Sequence, residues 1–428
     1  MLKTEPIKPI RIVILLGAPF TAQNFERVGI PYLSKYFEMI VFDCTEWLCR
    51  NTENIKCQKV YWQNFLAIKS EMDLALQIER YRPHYAIDYI GFGNFTLDIC
   101  KILAKYNVKF VVQKTGSLPT VEISVRIKNI VIKFFRRNTI GSSIDLENIN
   151  AKVGGLISIN RIDKLFDKIK LKLQQILTLK KLKSLPNYIG LIAGDKSLDT
   201  FTGRSNPIIW IGSNDYHTFN KVKRESALYR CSQIIEPFIL FIDDNLARAS
   251  DWILLGIPPP VTESIYYSDL NVFFEKIESI YDMPVRIAGH PNSISDKNYQ
   301  SNMRGRPLIF GSTAEQALQS SLVLAHGSTA VSFAVMARKP IIFLTSQELD
   351  QSPYGLHVIT MSESLGSPLV FIDRDSQQIN DCKTLEVDAL KYSLYEANYL
   401  RNERSNENEP WGAFVEFINS SSQMAENV

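Results

Sequence analysis

No CxxC pair and no zinc-type spacing joins the six cysteines of this 428-residue chain, Cys44, Cys49, Cys57, Cys100, Cys231 and Cys382. That pattern excludes a disulfide frame and a zinc ribbon, and it fits the reduced thiols of a cytosolic protein. With five histidines and no HExxH, no protein-built metal site is expected. The run GxxxxGK[ST] is missing and no GxGxxG follows the first apolar segment, which argues against a nucleotide kinase and a simple dehydrogenase. A net charge of only +3 leaves no global nucleic-acid footprint, so no nucleic-acid partner is expected. Long hydrophobic runs are lacking too: residues 12–16, behind Lys3, Lys8 and Arg11, are too few for a signal segment or a membrane span and read as a first strand. No internal repeat of fixed period is present.

What is present is a globular composition, 45% hydrophobic and 22% charged, in a chain long enough for two or three domains. Short apolar runs at 11–16, 39–43, 85–90, 108–112, 189–193 and 208–211 read as strands, with helical spacing over 62–81 and 96–105 between them. Such alternation predicts an α/β fold with a doubly wound parallel sheet. The pattern restarts near 221–236. Strands are then expected at 238–242, 285–288, 308–310, 322–325 and 370–372, and helices at 268–281, 313–319, 328–337, 385–399 and 411–418. The division expected is 1–230 and 231–428, two Rossmann-like domains, with the last helix free to cross back to the first. Within the first lies an insertion at about 120–185. Its segment 164–183 carries seven lysines from Lys164 to Lys183, and Leu165, Ile169, Leu173, Ile176 and Leu177 share one helical face. Two readings stay open there, a helix lying on an anionic membrane surface and a solvated helix packed on the domain.

The chain is organised around residues 322–344, LVLAHGSTAVSFAVMARKPIIFL: buried strand, Ser/Thr-rich turn, apolar helix, strand. The turn His326-Gly327-Ser328-Thr329 would present helix N–H groups and two hydroxyls at the C-terminal edge of a sheet, a seat for a phosphate; the plainer reading is a cap on a core helix. Two further turns follow strands in the same half, Asp243-Asp244 and Gly289-His290-Pro291. Asp243 or Asp244 can serve as nucleophile or general base, and the alternation of the strand lets only one of them face the cleft. His290 can donate to a phosphate oxygen. Gly311-Ser312-Thr313 opens the helix at 313, with Ser312 and Glu315 spaced as a capping box, and its backbone can approach a nucleobase. In the first half Ser213, Asp215 and Tyr216 follow the strand at 208–211, supplying a second acid or an Asx-type turn. Arg286, Arg304, Arg306 and Lys339 are cations for sugar or phosphate charges, or surface charges.

At these residues the chain resembles bacterial surface-polysaccharide glycosyltransferases of the GT-B architecture that use CMP-activated acid sugars, the Kdo transferases of O-antigen and capsule assembly above all. The likeness lies in GSNDY at 212–216, FIDDN at 241–245, GHP at 289–291, FGST at 310–313 and HGSTAVSFAVMARKPIIFL at 326–344. It covers roughly 205–345. The resemblance implies a GT-B fold, two Rossmann-like domains facing a central cleft, with 1–230 binding the acceptor and 231–428 the nucleotide sugar. It implies transfer of Kdo from CMP-Kdo without a metal or other cofactor. His290, Pro291, Ser328 and Thr329 would hold the phosphate, Asp243 would be the nucleophile of a retaining double displacement, and Ser213, Tyr216 and Arg286 would meet sugar or acceptor. Relatives often carry His where this chain has Gly212. The implied acceptor is a glycan on a lipid carrier, and the implied location is cytoplasmic, with 164–183 touching the inner membrane face. Other transferases of this architecture, using CMP-sialic acid, UDP-sugars or CDP-alditols, and sugar-nucleotide epimerases are the alternatives.

Overall fold

The computed structural model describes residues 9–48, 60–90, 96–119, 188–201, 207–228, 236–249, 252, 257–294, 296–374, 386–405 and 410–426. The insertion at 120–185 with its lysine-rich segment, and the boundary at 230/231, lie outside them.

Thirteen strands among these residues form two all-parallel sheets. The first contains β1 (Arg11–Leu16), β2 (Glu38–Asp43), β3 (Phe65–Ala67), β4 (Tyr85–Tyr89), β5 (Lys109–Lys114), β6 (Tyr188–Ile192) and β7 (Ile208–Trp210), in the order β3-β2-β1-β4-β5-β6-β7. The second contains β8 (Ile239–Ile242), β9 (Val285–Ala288), β10 (Leu308–Ile309), β11 (Leu322–Ala325), β12 (Ile341–Thr345) and β13 (Leu369–Phe371), in the order β10-β9-β8-β11-β12-β13. Both sequences of strands run outward from the first strand, return, and run outward on its other side. This is the doubly wound α/β arrangement expected from the alternation of apolar runs, and the paired sheets have the GT-B architecture. The central strands are apolar on both faces, because helices cover both: β8, β11 and β12 are buried along their whole length.

The helices are α1 (Ala22–Arg27), α2 (Ile30–Leu33), α3 (Thr45–Leu48), α4 (Glu71–Tyr81), α5 (Thr96–Lys105), α6 (Asn214–Leu228), α7 (Glu263–Tyr281), α8 (Lys297–Asn302), α9 (Thr313–Gln319), α10 (Val331–Met336), α11 (Gln347–Gln351), α12 (Pro353–Leu365), α13 (Ala389–Tyr395) and α14 (Gly412–Glu426). Three differ from the sequence expectation in an informative way. The helix expected over 62–81 begins only at α4, behind the Ser70 cap, and its first third is the edge strand β3. Met72 and Leu76 are then exposed, and Leu74 and Ile78 are the buried face. The helix expected from 328 begins at Val331, preceded by a turn in which the N–H groups of Val331 and Ser332 donate to the carbonyls of Ser328 and Thr329. The capping box at 312 does not form: Ser312 makes no side-chain cap bond.

Packing links the two halves by exchange. Helix α6 follows β7 of the first sheet, yet its Phe219 and Val222 belong to the core of the second. Helix α14, at the end of the chain, places Phe414, Val415 and Ile418, with Trp411 just before it, in the core of the first. Trp411 lies against Gly29, where an added Cβ would sit 2.1 Å from the indole nitrogen and where the backbone is left-handed. Between these helices the chain passes through α13 and a π-helical turn, Glu396–Leu400, then along the C-terminal edge of the first sheet. There the N–H of Ser213 donates to Leu400 O at 2.7 Å, and that of Asn402 to Ala193 O at 3.1 Å. Among the described residues no helix is long and apolar enough to cross a membrane.

Truncating Trp411 to alanine empties a buried site in the first core and frees the last helix. The expected loss is about 3–5 kcal/mol in urea unfolding. A loss below about 1 kcal/mol would show that the last helix is not part of that core.

Candidate functional site

In a parallel sheet the residues following each strand gather at one edge. The point where successive strands depart to opposite sides is a crevice in that edge. In the second sheet it lies between β8 and β11, bringing together Asp243-Asp244 and His326–Thr329, with Gly289–Pro291 after β9 on the other flank of β8. In the first sheet β7 is followed by Ser213, which caps α6 by accepting the Tyr216 N–H at 3.1 Å. The two edges meet here. Asp215, in the first turn of α6, lies beside the Ser332 hydroxyl of α10, and the helices that follow β7 and β11 pack against each other there.

Asp215 is half-buried. Burial raises its pKa from 3.8 to about 6, against the opposing effects of the Arg27 guanidinium and the Ser332 hydroxyl. Tyr395 of α13 lies against the same pair. Arg401 donates to the Tyr216 hydroxyl at 2.8 Å and stacks on its ring. Asn214 donates to the Arg27 carbonyl at 3.4 Å, tying α6 to α1. Lys114, at the end of β5, lies on the C-terminal edge of the first sheet; desolvation lowers its pKa, and the Asp88 carboxylate opposes that effect. The imidazole of His217 covers Gly212, its Nε2 2.6 Å from the Ile211 carbonyl.

The two acids after β8 part company, as alternation along a strand requires. Asp243 is 3% exposed and its Oδ2 accepts the Tyr299 hydroxyl, while its Oδ1 is buried without a well-formed partner. Burial raises its pKa to about 7; the Tyr299 bond opposes this and the charge of Asp244 adds to it. Closed over in this way, Asp243 does not present a carboxylate to the gap between the sheets, which corrects its expected role as the nucleophile. Asp244 turns the other way. Its Oδ2 accepts both the Gly327 N–H and the Tyr354 hydroxyl at 2.9 Å. Gly327 has no room for a side chain, since a Cβ would lie 2.5 Å from the His357 ring and 2.9 Å from the Tyr354 oxygen. His357 Nε2 lies 2.8 Å from the Gly327 carbonyl.

His326, expected at the nucleotide, lies in the core of the second half. It is fully buried, with Nδ1 2.7 Å from the Leu344 carbonyl and Nε2 2.9 Å from the Tyr266 hydroxyl. A carbonyl only accepts, so Nδ1 carries the proton and Nε2 receives the phenol. Burial lowers the pKa, and the ring is a neutral strut in the core. Arg286 is misplaced as well. It stands over the Phe238 ring at 4.1 Å, and Phe238 precedes β8, at the opposite end of the sheet from the crevice. Lys339 precedes β12 at that same end, and Arg304 and Arg306 are paired with Glu275 and Glu278.

Ser328 and Thr329 are partly exposed at the crevice, and Ser328 Oγ accepts the Ala330 N–H at 3.3 Å. His290 is half-buried at the tip of β9, with Pro291 opening a short turn, and its backbone N–H reaches the Tyr299 hydroxyl. Gly311, in a left-handed conformation with open space around it, leads into Ser312 and Thr313. No sequence pattern points to Tyr299, Tyr354, His357, Ser332, Arg27, Lys114 or Arg401, which the fold alone brings here.

The raised pKa of Asp243 sets a pH dependence of stability. Between the unfolded value of 3.8 and the folded value of about 7 the native state holds the extra proton, so stability falls as pH rises through this window. Replacing Asp243 with asparagine removes the ionisation while keeping an acceptor for Tyr299. The variant is expected to gain on the order of 1–3 kcal/mol over the wild type at pH 8 and less at pH 5. Chemical denaturation at the two pH values measures this, and an equal effect at both would rule out a buried titrating acid.

No protein-family model matches the chain, and no curated protein sequence matches it either. Similar solved structures include the UDP-GlcNAc 2-epimerase of Methanocaldococcus jannaschii, 10% identical over 96% of this chain and 100% of that one, with a TM-score of 0.46. MurG of Acinetobacter baumannii is 7% identical over 96% and 100%, with a TM-score of 0.45. The glycotransferase of kitacinnamycin is 8% identical over 97% and 99%, with a TM-score of 0.48. Likeness of this size assigns no activity to this chain.

Proposed function

We propose that the chain is a glycosyltransferase that takes an acidic sugar from a CMP-linked donor, CMP-Kdo, and passes it with retention to a surface-polysaccharide acceptor of the O-antigen or capsule kind carried on a lipid. The observation that supports this reading is the position of Asp215, the acid held where the C-terminal edges of the two sheets meet. A pKa of about 6 leaves it ionised at neutral pH yet close enough to exchange protons there. Arg27 beside it, Lys114 on the same edge of the first sheet and Arg401 from the returning chain suit a donor with two anionic groups, the sugar carboxylate and the CMP phosphate. The phosphate is assigned to Ser328 and Thr329 with His290 across β8, and the base to the Gly311–Thr313 turn.

In the double displacement that retention requires, a carboxylate attacks the anomeric carbon as the bond to the phosphate oxygen breaks and its electron pair leaves with CMP. The acceptor oxygen then attacks the same carbon, the carboxylate departs, and the hydroxyl proton passes to phosphate or water. We assign that carboxylate to Asp215, because Asp243 is enclosed by Tyr299.

The expected results are a rise in melting temperature with CMP, since a ligand of the native state stabilises it by mass action, and transfer from CMP-Kdo to a glycan acceptor. Activity should climb with pH through about 6, as Asp215 ionises. Asp215→Asn should lower kcat by ~100-fold or more with the fold intact. Conversion of UDP-GlcNAc to its 2-epimer would instead establish an epimerase, and full turnover by Asp215→Asn would remove the assignment.

A further inference from the structure

In the second displacement the acceptor hydroxyl gives up a proton, and the carboxylates at the crevice are not placed to take it. Asp215 is the leaving group of that step. Asp243 is enclosed by Tyr299. Asp244 has Oδ2 bonded to the Gly327 N–H and the Tyr354 hydroxyl, and its Oδ1 is buried. Of the five histidines, His84 precedes β4 at the opposite edge of the first sheet, His326 is enclosed in the core, and His217 covers Gly212 with its Nδ1 buried. His290 stands on the far flank of β8, where it is assigned to the phosphate. That leaves His357.

His357 is half-buried in the second turn of α12. The Gly327 carbonyl, 2.8 Å from its Nε2, only accepts, so Nε2 carries the proton and Nδ1 the lone pair. Nδ1 has no hydrogen-bond partner among the described residues and is open to solvent. The ring is held from two sides: Tyr354, three residues earlier on the helix, meets it edge-on at 5.5 Å and 65°, and Gly327 lies so close that a Cβ there would be 2.5 Å from the imidazole. Asp244 takes a hydrogen bond from Gly327 and from Tyr354, the two residues that touch the ring, which puts a negative charge close to any imidazolium formed there. One nitrogen anchored, the other unpaired and a carboxylate nearby is the arrangement of an oriented base. The base is also near the reacting centre. The turn from Gly327 to Ser332 is tight, with the N–H groups of Val331 and Ser332 bonded back to Ser328 and Thr329. His357 touches its first residue, and Asp215 lies beside its last.

We propose that His357 is the general base of the second displacement. Its Nδ1 takes the proton of the acceptor hydroxyl while that oxygen bonds to the anomeric carbon and the electron pair of the breaking bond returns to the Asp215 carboxylate; the imidazolium then gives the proton to water. The inference rests on the transferase reading and deepens it, since it names the group that selects a hydroxyl as the acceptor.

His357→Gln, whose amide N–H can still reach the Gly327 carbonyl, tests this on the full chain with CMP-Kdo and a glycan acceptor. Transfer should fall about 100-fold or more, while CMP still raises the melting temperature as it does for the wild type. The first displacement needs no base, so the variant should release one equivalent of CMP in a burst and accumulate a covalent sugar adduct visible in the intact-protein mass spectrum. Azide, an anion with no proton to lose, should restore turnover of the variant as glycosyl azide, and free imidazole should restore transfer by His357→Ala. A variant that transfers like the wild type, a lost response to CMP, which would put Nδ1 on the nucleoside, or failure of both rescues would each overturn the base while leaving wild-type transfer in place. No transfer by the wild type would remove the transferase reading and the base together.

Discussion

The contact between Asp215 and Ser332 brings the C-terminal edges of the two sheets together at the starts of α6 and α10. A carboxylate taken from water is unfavourable, and burial outweighs the compensating groups here, which raises the pKa to about 6. Compensation comes from the first turn of α6, where the helix dipole favours a negative charge, from the Ser332 hydroxyl and from Arg27. The acid stays in place because apolar burial, a stronger force than this one polar contact, fixes the helices around it. Phe219 and Val222 commit α6 to the second core, while Trp411 and Phe414 commit the end of the chain to the first. Each half buries side chains from the other, so separating the edges would expose apolar surface on both.

Around this contact the second sheet divides labour between adjacent acids. Asp243 faces inward and is held by Tyr299, and Asp244 faces the crevice and takes the Gly327 N–H together with the Tyr354 hydroxyl. The consequence concerns anion binding. The Gly327 N–H, the second after β11, is engaged by a protein carboxylate, and the Ala330 N–H by Ser328 Oγ. With α10 only six residues long, the crevice offers an anion fewer free donors than the sequence GSTAVSF suggests.

Where strands are long and apolar on both faces, sequence is enough to place them, and the ends of β1, β9 and β11 fall where periodicity puts them. Three residues are too few to show alternation, so β3 merges into a helical pattern that Phe65, Ile68, Met72 and Leu76 happen to satisfy. The signal that separates the two is Ser70, whose side chain accepts the Asp73 N–H at 3.1 Å. His326 misleads for a different reason. It shares strand parity with Leu322 and Leu324, which places its ring on a buried face, and the Ser-Thr pair beside it conceals this. Residues 347–365 carry little signal because α12 is largely apolar with weak periodicity, yet it supplies Tyr354 and His357 to the crevice. Those partners lie 110 and 30 residues from the groups they bond, a separation that no local pattern encodes.

The charges set an order of events for any anionic donor. On the second sheet the crevice carries the acid Asp244, and the cations that sequence offers there, Arg286, Arg304, Arg306 and Lys339, are either stacked or paired, or lie at the far end of the strands. The cations near the junction belong to the other side: Arg27 on α1, Lys114 on β5, and Arg401 anchored to Tyr216. A phosphate resting at Ser328 alone would feel Asp244 close by with little to offset it, and in a site partly shielded from water that repulsion is not screened away. Favourable binding therefore requires both edges at once, with neutral donors from the second sheet orienting the ligand and positive charge from the first holding it. The reciprocal helix exchange keeps those edges together, so under the transferase reading it would be a condition of donor binding as well as of stability.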